Sequence, residues 1–67
     1  MIALTINGRG VELAEPMTIR ELLASKGLTP QIVVVEHNRE IVPRERYDDV
    51  VVGADDDLEI VQMMAGG

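Results

Sequence analysis

The chain has 67 residues with a net charge of −6, and it contains no cysteine. A domain of this size buries only about 60% of the surface of its unfolded chain, so its core must be small. The absence of cysteine excludes disulfides, thiolate-bound metals and iron–sulfur clusters. The apolar residues are almost all aliphatic, with one Tyr and neither Phe nor Trp, so we expect a core of Ile, Val, Leu and Met.

The negative charge bears on the class of partner. It argues against nucleic acid, whose binding needs clustered Lys and Arg. It suits a partner protein with a basic docking surface, since complementary electrostatic fields steer the encounter of two proteins. The alternative is that the charge only keeps a small protein soluble. The apolar runs are too short to span a bilayer, and no charged segment followed by an apolar one opens the chain. We therefore expect a soluble, cytoplasmic protein with no membrane contact.

The first fourteen residues predict a β-hairpin. Apolar residues alternate with other residues from Ile2 to Ile6, and the alternation resumes from Val11 to Leu13. Between these runs lies Asn7-Gly8, a strong hairpin signal because both residues tolerate a positive φ. Pro16 ends the second strand, since it has no N–H to donate to a ladder.

A short helix is predicted over residues 18–27. Thr18-Ile19-Arg20-Glu21 has the spacing of a capping box, in which the first and last side chains each accept a hydrogen bond from the other residue's backbone N–H. The apolar residues that follow share one face, as in a helix that packs on a sheet. Gly27 is the expected stop, because a glycine readily adopts the left-handed conformation.

The second half of the chain predicts three further strands. The run Ile32-Val33-Val34-Val35 is typical of a strand covered on both faces or of a central strand in a small sheet. Glu40-Ile41-Val42 is a brief strand after an Asn38-Arg39 turn, and residues 58–63 form the last strand. Val50-Val51-Val52 is either extended or fills the bottom of the core.

This order of elements predicts an α+β domain with one helix packed on one face of a mixed sheet of about five strands. A hairpin, a crossing helix and three further strands look like the β-grasp, or ubiquitin-like, fold. We predict that residues 1–64 form the domain and that residues 65–67 form a flexible tail.

No set of residues predicts an active site. His37 is the single histidine and has no second ligand or nucleophile nearby, so we expect a structural or solvent-facing role. Asp55-Asp56-Asp57 lacks the spaced ligands of a calcium loop and predicts a solvated turn. Arg44 and Arg46 are either a basic site for a partner carboxylate or countercharges to Asp48-Asp49. We therefore expect no catalytic residue, no bound metal and no enzymatic activity.

The end of the chain, Ala65-Gly66-Gly67, offers nothing to bury. It is either a frayed terminus or a functional tail whose base is held rigid by the strand before it. A terminal glycine carboxylate is unhindered and can thread a narrow channel, because glycine has no Cβ. Adenylation by ATP would give that carboxylate a good leaving group, which a sulfur nucleophile could then displace.

Three stretches carry a resemblance to a known family: Val35 to Arg44, Asp57 to Val61, and the terminal Gly66-Gly67. With them, the chain resembles the ThiS family, the sulfur carrier proteins of thiamine biosynthesis, over its whole length. The resemblance implies that an E1-like activating enzyme uses ATP and Mg²⁺ to adenylate Gly67, and that a persulfide sulfur then replaces AMP. The resulting thiocarboxylate would pass to thiazole synthase. Gly67 would thus be the modified residue and Gly66 would give clearance, with no cofactor bound to the chain itself.

The same resemblance implies that residues around the end of the last strand dock the partners, namely Val61, Met63, Met64 and Ala65. The alternative for Val61 and Met63 is that both pack in the core. Other functions also fit the sequence: a sulfur carrier for a molybdopterin or cysteine pathway, a ubiquitin-like protein modifier, or a non-covalent β-grasp adaptor. The single lysine, Lys26, argues against self-linked chains.

Overall fold

A computed structural model describes residues 1–63 of the chain. The strands are, in chain order, β1 (Ile2–Ile6), β2 (Arg9–Leu13), β3 (Met17–Thr18), β4 (Val33–His37), β5 (Glu40–Ile41), β6 (Val51–Val52) and β7 (Asp57–Gln62). One α-helix, α1 (Ile19–Ser25), follows β3. Two single turns of 3₁₀-helix lie at Pro30–Ile32 and Arg44–Arg46.

Five of the strands form one mixed sheet in the order β2-β1-β7-β4-β5. Strands β1 and β7 are parallel, and the other neighbours are antiparallel. Strand β7, the last strand in residues 1–63, therefore lies at the centre of the sheet. Strands β3 and β6 pair separately, so the segment around Val51 is extended, which was one of the two predicted alternatives. The predicted mixed sheet with one helix is confirmed.

Both tight hairpins turn through residues with positive φ. Asn7 and Gly8 have φ values of 52° and 79°, as a two-residue type I′ turn requires, and the predicted hairpin is confirmed. The β4–β5 hairpin turns in the same way at Asn38 and Arg39, whose φ values are 53° and 72°. Arg39 thus occupies a position that favours glycine, at a cost in backbone strain.

Helix α1 begins at the predicted capping box. The Glu21 N–H donates to the Thr18 hydroxyl over 3.1 Å, and the Thr18 N–H donates to the Glu21 carboxylate over 2.8 Å. The helix ends at Ser25, earlier than predicted, because Lys26 already leaves helical geometry with a ψ of 0°. Gly27 follows in the left-handed conformation, as expected, with a φ of 70°.

The helix covers one face of the sheet, here called the inner face, and the core lies between them. The buried residues are Leu4, Ile6, Ile19, Leu22, Leu23, Val33, Val35, Val42, Tyr47, Val52, Leu58 and Ile60. The expectation of a purely aliphatic core was wrong at Tyr47, since the only aromatic residue in the sequence is buried in it with an exposed fraction of 2%. The core is therefore built from all parts of the chain.

Strand β4 shows that residues 1–63 cover only one face of the sheet. Val33 and Val35 are buried on the inner face, whereas Val34 is half-buried on the opposite, outer face. Ile32 lies before the strand, in a 3₁₀ turn, and is exposed. The prediction of a strand covered on both faces was wrong, and the alternative of an interior strand in a small sheet is confirmed.

Asn7 extends the contact between β1 and β7 beyond the end of β1. Its Oδ1 accepts a hydrogen bond from the Ile60 N–H over 2.8 Å, and its Nδ2 donates to the Ile60 carbonyl over 3.3 Å. The side-chain amide thus pairs with β7 as a further peptide group of β1 would. Asn7 therefore takes part both in the β1–β2 turn and in the contact between β1 and β7.

We expect Asn7→Gly to lower the free energy of unfolding by about 1–3 kcal/mol, because both groups of Ile60 lose their partner. Glycine tolerates the positive φ, so backbone strain does not contribute to the loss. Chemical denaturation with urea measures the effect, and Asn7→Ala should cost more because alanine adds strain. An Asn7→Gly protein as stable as the wild type would show that water replaces the amide at no cost.

Candidate functional site

The candidate site lies at the end of β7, where the sequence predicts docking residues. Val61 and Met63 have exposed fractions of 58% and 48%. The alternative that both pack in the core was therefore wrong. Their exposure leaves them available to a partner protein, and their docking role stays a prediction.

The end of β7 is held firmly by the chain around it. In the antiparallel register with β4, Gln62 lies opposite Val33. One residue further on, the Met63 N–H donates to the Ile32 carbonyl over 2.6 Å. On the other side, Ile60 is bound by the Asn7 amide. Whatever follows Met63 therefore starts from a fixed point.

The remaining predicted site residues lie outside the described residues: Met64, Ala65, Gly66 and Gly67. The proposed domain boundary between residues 64 and 65 falls there as well. The roles predicted for the tail, with Gly67 as the modified residue and Gly66 giving clearance, therefore stay predictions from the sequence.

Apolar side chains on the outer face form a patch next to the end of β7. Val61 lies opposite Val34 in the β4–β7 register, and Ile41 follows on the far side of β4 with an exposed fraction of 68%. We call Val34, Ile41 and Val61 the outer patch. The sequence analysis did not identify Val34 and Ile41 as site residues. The position of Ile41 opposite Glu36 could have been predicted from the Asn38-Arg39 turn, because a two-residue turn fixes the facing pairs of a hairpin.

His37 and Asp56 form a polar cluster at the opposite end of β7. The His37 Nε2 lies 2.7 Å from the Asp56 carboxylate, which also accepts hydrogen bonds from the Gly53 N–H at 2.8 Å and the Asn38 amide at 3.3 Å. The structural role expected for His37 is confirmed. The expectation of a merely solvated aspartate turn was wrong at Asp56, whose side chain is only 20% exposed.

Two opposing effects set the pKa of Asp56. Partial burial raises this pKa, but the hydrogen bonds from Gly53, His37 and Asn38 and the nearby His37 ring outweigh burial, so the pKa lies below its ordinary value of 3.8. The folded state therefore binds this proton less tightly than the unfolded state does. The resulting stabilisation is present above the ordinary pKa and is lost as the pH falls through the lower, native pKa.

We expect the wild type to lose stability more steeply than Asp56→Asn as the pH falls from about 5 to about 3. At neutral pH the variant should be less stable by about 1 kcal/mol, because it loses a charged hydrogen-bond acceptor. Urea unfolding at a series of pH values measures both effects. Asp55→Asn is the matched control, since Asp55 is exposed and asparagine tolerates its φ of 66°. Equal slopes for all three proteins would contradict the assignment.

The two arginines after Pro43 have different roles. Arg46 lies 3.5 Å from Asp49, so the prediction of a countercharge is confirmed for this pair. It was wrong for Arg44, whose guanidinium donates to the carbonyls of Pro30 and Gln31 over 3.1 and 3.3 Å. Arg44 therefore fixes the turn that leads into β4.

Within residues 1–63, no three His, Cys, Asp or Glu side chains are grouped as metal ligands would be. The one α-helix in this part of the chain is too short to cross a membrane.

Comparison with known proteins gives consistent results. The model of the ThiS family matches residues 4–67. The chain is 43% identical over 65 residues to the sulfur carrier protein ThiS of Bacillus subtilis, covering 96% of this chain and 98% of that protein. It is 42% identical over 64 residues to a thiazole synthase of Paramagnetospirillum magneticum, of which it spans 20%. The crystal structure of ThiS from Geobacter metallireducens superposes with a TM-score of 0.85 at 33% identity, covering 98% of this chain and 100% of that one.

Proposed function

This chain belongs to the ThiS family, and we propose that it carries sulfur for thiamine biosynthesis as a thiocarboxylate on Gly67. The observation that supports this proposal best is the anchoring of β7. The central strand is hydrogen-bonded as far as Met63, four residues before Gly67. A rigid base followed by a short segment ending in two glycines suits a carboxylate that must enter an enzyme's active site.

The chemistry needs little from the carrier itself. The Gly67 carboxylate attacks the α-phosphate of ATP, pyrophosphate leaves, and an acyl adenylate forms. A partner's persulfide then attacks the acyl carbon, which forms a C–S bond and releases AMP. A second thiol attacks the partner's sulfur atom in the resulting acyl disulfide, which forms a disulfide on the partner and leaves the thiocarboxylate on Gly67. In this proposal ATP and Mg²⁺ bind to an E1-like activating enzyme, which also supplies the catalytic groups. The carrier is a protein co-substrate rather than a catalyst, acting in the cytoplasm where ATP is abundant.

We propose thiazole synthase as the acceptor of the sulfur. Two relatives are named thiazole synthase, and this chain matches about a fifth of each, 20% and 19% of their lengths. A segment similar to this chain within a polypeptide named thiazole synthase supports a direct encounter between the carrier and the synthase. Val61 and Met63 are the proposed docking residues within the described part of the chain, with Met64 and Ala65 following. An unbranched methionine suits a surface that must fit two different partners.

Intact mass spectrometry tests the proposal. The purified protein is incubated with ATP, Mg²⁺, a sulfur donor and the activating enzyme of the same host. The expected result is a mass gain that matches the exchange of one oxygen for sulfur, located at Gly67. Adducts with other proteins would instead indicate a ubiquitin-like modifier. An unchanged mass, with an enzyme shown to be active on another carrier, would overturn the proposal and favour a non-covalent adaptor.

We expect Gly66→Leu to lower kcat/KM for thiocarboxylate formation by about a hundredfold or more, a loss of roughly 3 kcal/mol in transition-state binding. The reason is steric, because the added side chain must enter the channel that admits Gly67. Gly66→Ala is the graded control and should fall between the wild type and Gly66→Leu. Normal turnover of Gly66→Leu would contradict a narrow channel.

A further inference from the structure

The Arg44 side chain makes two hydrogen bonds that have no part in the proposed chemistry so far. Its Nε and Nη2 donate to the carbonyls of Pro30 and Gln31 over 3.1 and 3.3 Å. Both carbonyls belong to the 3₁₀ turn Pro30–Ile32, which leads into β4. One guanidinium thus bridges two neighbouring peptide groups, which its planar fork of donors allows.

Packing contributes little to holding this turn in place. None of its three residues is buried, and no side-chain hydrogen bond caps its start. Ile32, its last residue, has an exposed fraction of 37%. A segment with few buried apolar contacts opens at a low cost in free energy. The two hydrogen bonds from Arg44 therefore have a large share in fixing the turn.

The core fixes Arg44 itself from both sides along the chain. Before it, Val42 is buried and its N–H donates to the Val35 carbonyl over 2.9 Å. The ring of Pro43 then restricts the backbone, which has a φ of −62° there. After it, the buried Tyr47 donates its N–H to the Arg44 carbonyl over 3.1 Å. The guanidinium therefore extends from a rigid base.

The same 3₁₀ turn supplies the acceptor for Met63, the residue directly after β7. The Met63 N–H donates to the Ile32 carbonyl over 2.6 Å. The carbonyls of Gln31 and Ile32 belong to consecutive peptide groups, so a movement of the first displaces the second. A continuous set of hydrogen bonds therefore leads from the Arg44 guanidinium to the start of the tail.

We propose that Arg44 is a positioning residue for thiocarboxylate formation, which fixes Met63 through the 3₁₀ turn and thereby sets where the Gly67 carboxylate enters the activating enzyme. The inference rests on the proposed function. Without the two hydrogen bonds, Met63 is no longer fixed before the carboxylate enters, and the enzyme must order it. Ordering the backbone of one residue costs enough free energy to lower a rate by about tenfold.

Amide hydrogen exchange on the free carrier, followed by NMR, tests the contact between Arg44 and the start of the tail. The Ile60 amide is the internal reference, because Asn7 binds it from the other side of β7. In Arg44→Gln, exchange at Met63 should accelerate by about tenfold relative to exchange at Ile60. An unchanged ratio of the two rates would overturn the inference, since both amides would then respond only to the stability of the whole domain.

Kinetics with the activating enzyme test the effect on the reaction. Arg44→Gln should lower kcat for thiocarboxylate formation by about tenfold and leave KM within about twofold of the wild-type value. Val61 stays paired with β4, so docking is kept and only the alignment of the tail is lost. Arg46→Gln is the matched control, because it removes the same charge from the same 3₁₀ turn. It should change neither constant.

Arg44→Lys separates positioning from charge. It keeps the positive charge but replaces the planar fork of donors with a single ammonium group, so its kcat should fall nearly as far as that of Arg44→Gln. Wild-type kcat in Arg44→Lys would mean that charge alone matters, as in a basic site for a partner carboxylate, and would overturn the inference. An equal fall in kcat for Arg46→Gln would overturn it as well.

The inference and the proposed function fail in different ways. A wild-type carrier that forms no thiocarboxylate with an active enzyme overturns the proposed function. A wild-type carrier that does form it, together with an unchanged exchange ratio or an unchanged kcat in Arg44→Gln, overturns only the role of Arg44.

Discussion

Deletion of Gly67 is expected to abolish thiocarboxylate formation while the free energy of unfolding stays within about 0.5 kcal/mol of the wild-type value. The truncated chain still ends in a glycine, so the loss would arise from position rather than from residue type. The new carboxylate stops one residue short, up to about 3.6 Å, and a displacement of even 1 Å from the reacting geometry can cost about a hundredfold in rate. Intact mass spectrometry after incubation with ATP and the activating enzyme measures the loss.

A chain extended by one residue after Gly67 is the companion to this deletion, since it moves the carboxylate outward by the same distance. Neither variant should form the thiocarboxylate, and both should unfold in urea as the wild type does. Adenylation of the truncated chain at the wild-type rate would contradict a fixed distance between the docking surface and the reaction centre.

Leu58→Ala is expected to have the largest effect on stability, a loss of about 3–4 kcal/mol in the free energy of unfolding. Leu58 is fully buried on the central strand, with β1 on one side and β4 on the other. A domain of this length has a total stability of roughly 3–10 kcal/mol, so the substitution removes much of it. Urea denaturation followed by circular dichroism measures the loss.

Val61→Ala is the matched control on the same strand, since Val61 is exposed on the outer face. It should cost less than about 1 kcal/mol, because little buried area is lost. We expect this control to weaken enzyme docking instead. Equal losses of stability for the two variants would contradict the division of β7 into a buried and an exposed side.

Local signals account for the parts of the fold that the sequence predicts well. The Asn7-Gly8 turn, the capping box at Thr18 and the stop at Gly27 each depend on residues a few positions apart. The position of Tyr47 in the core could not be predicted in the same way, because its burial depends on contacts with distant elements. The short β3–β6 pair could not be predicted from the sequence either, since strands of two residues show no periodicity.

The candidate site, too, was predicted only in part from the sequence. The tail glycines were identified from composition and from the chemistry of an unhindered carboxylate, whereas the predicted docking role of Val61 came from the resemblance. The exposure of Val61 became visible only in the structure. The facing of Glu36 and Glu59 depends on the β4–β7 register, which pairs two residues with 22 positions between them. A shift of one residue in that register would turn one strand's side chains to the other face. The alternation of Leu58, Glu59 and Ile60 indicates the face of β7, but the three consecutive valines of β4 fit either face.

The central place of β7 has a consequence for how the protein is made. Translation produces β7 last, yet β1 and β4 can join into one sheet only through it. A nascent or prematurely terminated chain that lacks residues 57–62 therefore has a divided sheet and a core without Leu58 and Ile60. Quality-control proteases should remove such chains, because unfolded segments are their substrates. Nearly every folded copy of the protein in the cell would then have been translated at least through Gln62, the end of β7.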